Sequence, residues 1–223
     1  MTDFGFETTA EEAAMAFASE IKGKTGEPRI HPQLLDLSTF SASDVFAVLM
    51  TGVSPGSLGA EAALQIARQQ PKLLILTGRN LAKVRETETA IKSTVPDTSI
   101  RLLELDLASQ KQIKKAAEEV NSYPEPIDVL INSAAIMAAP YSLTEDGLES
   151  QFGTNHIGHF LFTNLIMGKI LQAGKGARIV NVSSRGHRRS DIRWDDYNFG
   201  VSIAFSPGTL NSISHCYLEW GHL

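Results

Sequence analysis

Between residues 45 and 184, short apolar runs alternate with longer stretches of helical periodicity. That rhythm restricts the fold more than any other feature of the chain. The apolar runs are Val45–Thr51, Leu73–Thr77, Ile100–Leu105, Ile127–Asn132 and Ala177–Ser183. Helices are predicted over Leu58–Gln70, Asn80–Val95, Ser109–Ser122 and from Leu148 to about Leu171. Runs of Val, Ile and Leu without polar alternation suit parallel strands covered on both faces. Strict alternation of strand and helix then calls for right-handed crossovers and a doubly wound sheet. The expected class is α/β, with five parallel strands and no internal repeat.

Composition narrows the function classes. At 223 residues, 43% hydrophobic and 20% charged, the chain can bury one sizeable core. A net charge of −5 gives no electrostatic footing for nucleic acid or an anionic membrane. The single cysteine, Cys216, excludes an intramolecular disulfide and suits a reducing compartment. No apolar run approaches the roughly 18 residues that a membrane span needs. A soluble, cytoplasmic protein is expected.

Four segments follow along the chain. Residues 1–25 contain a predicted helix, Ala13–Ile21, entered through the capping box Thr9-Ala-Glu-Glu12. Residues 26–47 read as an irregular, Pro-containing insertion, residues 48–199 as the sheet domain, and residues 200–223 as an atypical tail. No Lys or Arg follows Arg193, although the chain holds 20 of them. Insertion and tail read either as ordinary variation or as foreign sequence from unspliced or frame-shifted coding.

The first strand runs into Thr51-Gly-Val-Ser-Pro-Gly-Ser-Leu-Gly59, and a helix follows at once. Glycines there allow a tight turn and close approach of backbone to a pyrophosphate, while the helix offers unpaired N–H groups and its positive dipole end. A plain strand-to-helix loop would not need Gly52, Gly56 and Gly59 so close together. After the second strand, Thr77-Gly-Arg-Asn80 places the Arg79 cation where an adenosine ribose would lie. Arginine there suits a 2′-phosphate, whereas an acid would suit a free 2′-hydroxyl, so the expected cofactor is NADP(H) rather than NAD(H). Alternatively, Arg79 is a solvated surface charge. His156 and His159 flank Gly158 on an apolar stretch without a cysteine or carboxylate cluster, which favours packing over metal binding; no metal site is expected.

These residues resemble the short-chain dehydrogenase/reductase family, particularly its retinol-dehydrogenase-like and fungal oxidoreductase members. The resemblance covers Lys22–Thr25 and Val48–Phe199, about two thirds of the chain. Thr51–Gly59 is similar to the family's Thr-Gly-x-x-x-Gly-x-Gly turn, with one extra residue between Gly56 and Gly59. Leu105-Asp-Leu107 is similar to its adenine contact, which implies a cofactor role for Asp106 and Leu107. Asn132-Ser-Ala-Ala135 resembles Asn-Asn-Ala-Gly, implying that Asn132 steadies the sheet and that Asn132 and Ala134 lie near the ribose. Asn155-His-Ile-Gly-His159 resembles the segment bearing the catalytic asparagine, and Asn181-Val-Ser-Ser184 the strand end bearing the catalytic serine. Asn155 and Ser184 are therefore the expected catalytic residues of a Rossmann-type oxidoreductase acting on a small alcohol or carbonyl. The bland alternatives are that Asn155 caps or kinks its helix and that Ser184 satisfies local backbone.

The family's proton donor is a tyrosine whose pKa is lowered by a lysine four residues on, one helical turn away. Here Tyr197 is followed by Val201 at that spacing, and Tyr217 by Gly221. The resemblance fades at Asn198–Phe199, before the family's last two strands, which also build its usual dimer interface; dimerisation is left open. The sheet is accordingly expected to be incomplete after the fifth strand, and the chain to be catalytically impaired. A non-catalytic dinucleotide-binding or regulatory module, or a non-functional truncated product, is the alternative.

Overall fold

The structure, a computed structural model, describes residues 47–184 and 194–200. The predicted N-terminal helix, nearly all of the residues read as an insertion, residues 185–193 and residues 201–223 lie outside that range. In chain order the elements are β1 (Ala47–Met50), α1 (Leu58–Arg68), β2 (Leu73–Gly78), α2 (Leu81–Thr94), β3 (Ile100–Glu104), α3 (Gln110–Ser122) and β4 (Val129–Asn132). There follow α4 (Ser150–Phe152), a π-helical turn (Gly153–Gly158), α5 (His159–Leu165), α6 (Met167–Gln172) and β5 (Arg178–Asn181).

All the strand pairs are parallel, and the strand order is β3-β2-β1-β4-β5. The expected α/β parallel sheet is thus present. Its apolar runs are continuous because two different cores need them. Ala47, Leu49, Leu73, Ile75 and Leu130 join Ile113, Ala117 and Val120 of α3 and Phe162 of α5 on one face. Val48, Met50, Leu74, Leu76, Val129 and Ile131 join Ala63 and Ile66 of α1 and Val84 and Ile91 of α2 on the other. Neighbouring residues of one strand therefore point into opposite cores, as the two-residue strand period requires.

Side chains at the helix starts agree with the sequence. Ser57 accepts the Ala60 N–H, Asn80 accepts those of Ala82 and Lys83, and Ser109 accepts that of Gln112. β1, Ala47–Met50, falls within the predicted run Val45–Thr51, and Ala47 is the first described residue. Ala47 pairs with Leu73, and its N–H donates to Asp128 Oδ2 at 2.9 Å.

One expectation needs correction. The single long helix from Leu148 to Leu171 is broken twice, by the π-turn around Asn155 and by a stop at Ile166, which adopts φ −100°, ψ 7°. An apolar pattern survives such breaks, because a π-turn adds one residue without moving the flanking faces far. Gly158, which ends the π-turn, lies hard against the loop after β3: a Cβ there would come within 2.3 Å of the Leu107 carbonyl oxygen.

Candidate functional site

Because the strands are parallel, their C-terminal ends share one edge of the sheet. That edge collects Thr51 after β1, Arg79 after β2, Asp106 after β3, Ala134 after β4 and Ser184 after β5. The strand order reverses direction at β1, with β2 on one side and β4 on the other. Open α/β sheets bind ligands in the crevice beside such a switch point.

The turn after β1 is built against β4. Gly52 has φ +77°, and a Cβ there would stand 2.6 Å from the backbone N and Cα of Ala134. At Gly59, in the first turn of α1, a Cβ would stand 2.3 Å from the Gly52 carbonyl oxygen. Gly56 differs: its φ is +72°, yet nothing lies within 4 Å of its Cβ position. Two glycines permit close packing of strand, turn and helix, and the third permits the backbone conformation beside open space. Ser57 donates its hydroxyl to the Gly52 carbonyl at 2.9 Å, and Thr87 of α2 donates to the Val53 carbonyl at 2.8 Å. This fixed, glycine-lined turn at the start of α1 fits a phosphate group.

Thr51 joins the turn to the next strand. Its Oγ1 accepts the backbone N–H groups of Ser133 and Ala134, both at 2.9 Å, and lies 3.0 Å from His159 Nε2. Asn132 is buried; its amide nitrogen donates to Asn181 Oδ1 at 2.9 Å and to Thr163 Oγ1 at 3.1 Å. It thereby ties β4 to β5 and to α5. Asp106 Oδ1 accepts the Ala108 N–H within its own loop, the Leu107 side chain belongs to the core, and Arg79 is exposed.

Asn155 sits inside the π-turn and is buried. Its side chain forms a two-point clamp on Ile136, accepting that residue's N–H and donating to its carbonyl, both at 2.9 Å. Its own carbonyl oxygen lies 2.9 Å from His159 Nδ1. The buried His159 ring is held neutral, its pKa pushed down to about 4, first by desolvation and slightly further by His156; the contact with the Asn155 carbonyl opposes the shift. Burial likewise lowers the pKa of His156, which stacks on Phe152 with ring centroids 5.4 Å apart. Ser184 is exposed, three residues beyond β5.

A sequence model of the short chain dehydrogenases matches residues 46–198. The chain belongs to the short-chain dehydrogenase family. It is 33% identical over 213 residues to the oxidoreductase fscI of Fusarium equiseti, an alignment covering 94% of this chain and 74% of that protein. It is 40% identical over 152 residues to human retinol dehydrogenase 13, covering 68% of this chain and only 45% of that one. Among solved structures, an uncharacterised protein from Mycobacterium paratuberculosis superposes with a TM-score of 0.58 at 32% identity, over 78% of this chain and 60% of that one. The chain therefore spans about half the length of the human dehydrogenase and more of the fungal one.

Several residues make contacts that no local sequence signal announces. His159 is buried, as a packing residue should be, and in addition both its ring nitrogens are in hydrogen-bond contact. Asn198 closes a second joint: it accepts the Glu149 N–H at 2.8 Å, donates to the Gly147 carbonyl at 2.9 Å, and its backbone carbonyl accepts the Tyr141 hydroxyl at 3.1 Å. Tyr197 beside it tilts against Phe152 at 5.9 Å. The residues after β5 thus dock on the segment after β4, a long-range contact with no local signal. Among the described residues no group of His, Cys, Asp and Glu could hold a metal, and no helix is long and apolar enough to cross a membrane.

Proposed function

We propose that residues 47–184 form the cofactor half of an NADP(H)-dependent oxidoreductase that exchanges hydride with a small alcohol or carbonyl compound. The observation that carries this reading is the turn Thr51–Gly59, locked between β1, β4 and α1 at the switch point of the sheet. In this reading the pyrophosphate lies against Gly52, Gly56 and the first turn of α1. Asp106, Leu107, Asn132 and Ala134 flank the adenine and ribose, with Leu107 contributing backbone and Asn132 acting through the sheet. Arg79 is exposed at the end of β2, free to pair with a 2′-phosphate; this supports NADP(H) over NAD(H). The bound cofactor supplies the hydride. Asn155 holds the Ile136 segment, and Ser184 orients the substrate oxygen. A cytosolic location goes with the reading, as the single cysteine suggests.

A second reading rests on the tyrosines. None of the four, Tyr123, Tyr141, Tyr197 and Tyr217, has lysine four residues on. A free phenol, with a reference pKa near 10, exchanges protons poorly at neutral pH unless a neighbouring cation such as a lysine ammonium activates it. The 223-residue chain by itself then binds cofactor without turnover, as a non-catalytic or regulatory module would.

NADPH titration by fluorescence, followed by NADPH oxidation with aldehydes, ketones and quinones, tests both readings. Saturable NADPH binding without turnover is expected. Arg79→Ala should weaken NADPH by about 1–3 kcal/mol and leave NADH nearly unchanged. Equal losses for both cofactors would overturn the 2′-phosphate assignment, and turnover abolished by Ser184→Ala would overturn the second reading.

A further inference from the structure

The hydrogen bonds around Thr51 leave a single consistent arrangement of protons. A threonine hydroxyl has one hydrogen and two lone pairs. Ser133 and Ala134 donate backbone N–H groups to both lone pairs, so only the hydrogen remains for His159. Thr51 therefore donates to Nε2, which must carry no proton. The other nitrogen, Nδ1, faces the Asn155 carbonyl, a group that can only accept. The ring is thus the neutral Nδ1–H tautomer. An added proton on Nε2 would point at a hydroxyl with no lone pair left.

The same atoms form one continuous chain from the cofactor turn to the Ile136 segment. It runs from Thr51 Oγ1 through the His159 ring to the Asn155 carbonyl, and the Asn155 amide closes it on Ile136 N and O. Every link is 2.9–3.0 Å. The second link, to the Asn155 carbonyl, lies within the π-turn Gly153–Gly158, whose backbone departs from ordinary α-helical register.

We infer that His159 is a positioning residue: locked as the Nδ1–H tautomer, it couples the position of the cofactor turn to that of Asn155 and the Ile136 segment. The inference about coupling to cofactor rests on the cofactor site proposed above; the tautomer does not. Ligand that settles on the turn through Thr51 is felt at Ile136 by way of the imidazole.

Nitrogen-15 NMR of the histidine rings, with and without NADPH, tests the tautomer directly. A protonated Nδ1 and a bare Nε2 are expected for His159 at neutral pH in either state; an Nε2–H tautomer would overturn the proposal. A double-mutant cycle then tests coupling. Thr51→Val and His159→Leu should each weaken NADPH by about tenfold, the pair together should lose little more than either alone, and Thr51→Ser should restore binding. Losses that multiply, or lower melting temperatures with unchanged NADPH affinity, would reduce His159 to a packing residue. Should His159→Leu fail to fold, His159→Gln takes its place in the cycle. If the unsubstituted chain binds no NADPH, the cofactor reading fails. The coupling is then read from the Ile136 amide resonance, which should move in both Thr51→Val and the His159 variant; a resonance unmoved by Thr51→Val would overturn it.

Discussion

β1 and β5 are both four-residue parallel strands hydrogen-bonded to β4, yet they sit in different surroundings. Every residue of β1 is at most 2% exposed, whereas β5 buries only Val180 and leaves Ile179 at 38%. β1 has a strand on each side and a core on each face, so Ala47-Val-Leu-Met50 has no place for a polar side chain. β5 closes the sheet order on its side and reads Arg178-Ile-Val-Asn181, with charge and amide at its ends. The ends of the two strands differ in the same sense. Thr51 is fixed by contacts to β4 and to His159, while Asn181 is held through the Asn132 side chain and the Val182 N–H to the Asn132 carbonyl. The glycine turn is therefore mounted on the most fully buried of the described strands. Ser184 is mounted on the least covered strand among the described residues, where Ile179 stays exposed.

The largest effect should come from cutting the core beneath the centre. Ile75, fully buried in β2, should cost about 4 kcal/mol on substitution by alanine, because a cavity remains where the methyl groups packed. Ile179→Ala in β5 should cost about 1 kcal/mol or less, since much of that side chain already meets water. Urea denaturation of the two variants checks this. Equal losses would mean that β5 is as well covered as β2.

Acid should also strike the centre first. Unfolded, His159 titrates near 6.5; folded, near 4. Between those values the unfolded chain binds more protons, so stability falls as pH falls through that window. The slope is about 1.4 kcal/mol per pH unit and the total about 3 kcal/mol. His156, also depressed by burial, adds in the same direction. Unfolding midpoints at pH 7, 5.5 and 4.5 should show the decline, and His159→Gln should flatten most of it. A decline of unchanged size in the variant would assign the acid sensitivity to other groups.

At the turn, two glycines alike in sequence should behave differently. Gly59→Ala drives a Cβ to 2.3 Å from the Gly52 carbonyl, so backbone must move, at a cost of about 3 kcal/mol. Gly56→Ala meets open space and carries only the strain of a positive φ, about 1 kcal/mol. Melting temperatures of the two variants give the comparison, and similar losses would show that the turn does not pack as described.

The centre of the sheet was legible in the sequence for the reason that it is stable. Leu49, Ile75 and Leu130 lie in uninterrupted apolar runs, which only doubly covered parallel strands require. The glycine turn was legible because Gly52 and Gly59 answer to backbone contacts made within a few residues of chain, or with the strand beside them. What escaped depends on partners far away in sequence. Asn155 could be placed in a helix by periodicity, but the π-turn around it meets partners distant in sequence, Ile136 through the Asn155 amide and the Leu107 carbonyl beside Gly158. His159 has the spacing of a core residue, and only the two backbone donors occupying Thr51 reveal that its Nε2 must accept a hydrogen bond from that hydroxyl. Asn198 lies where the family resemblance fades, and its three partners are about 50 residues upstream.

Asn198 also gives the finest test of the contrast between centre and edge. Its side chain spans the Gly147 carbonyl and the Glu149 N–H, and so holds the Trp194–Gly200 stretch on the loop that leads into α4. Glu149 is itself buried and accepts the N–H groups of Gln151 and Phe152, so the loop has an internal anchor as well. Asn198→Ala should therefore cost only about 1 kcal/mol of global stability, the net value of lost hydrogen bonds at a partly exposed joint. Its larger consequence should be local. Amide exchange at Gly147–Glu149 and at Phe199 should quicken while that of Leu49 and Leu130 stays unchanged, since opening a joint at the rim need not open the sheet. Faster exchange at Leu49 as well would mean that rim and centre unfold together, and the two regions would then be a single cooperative unit.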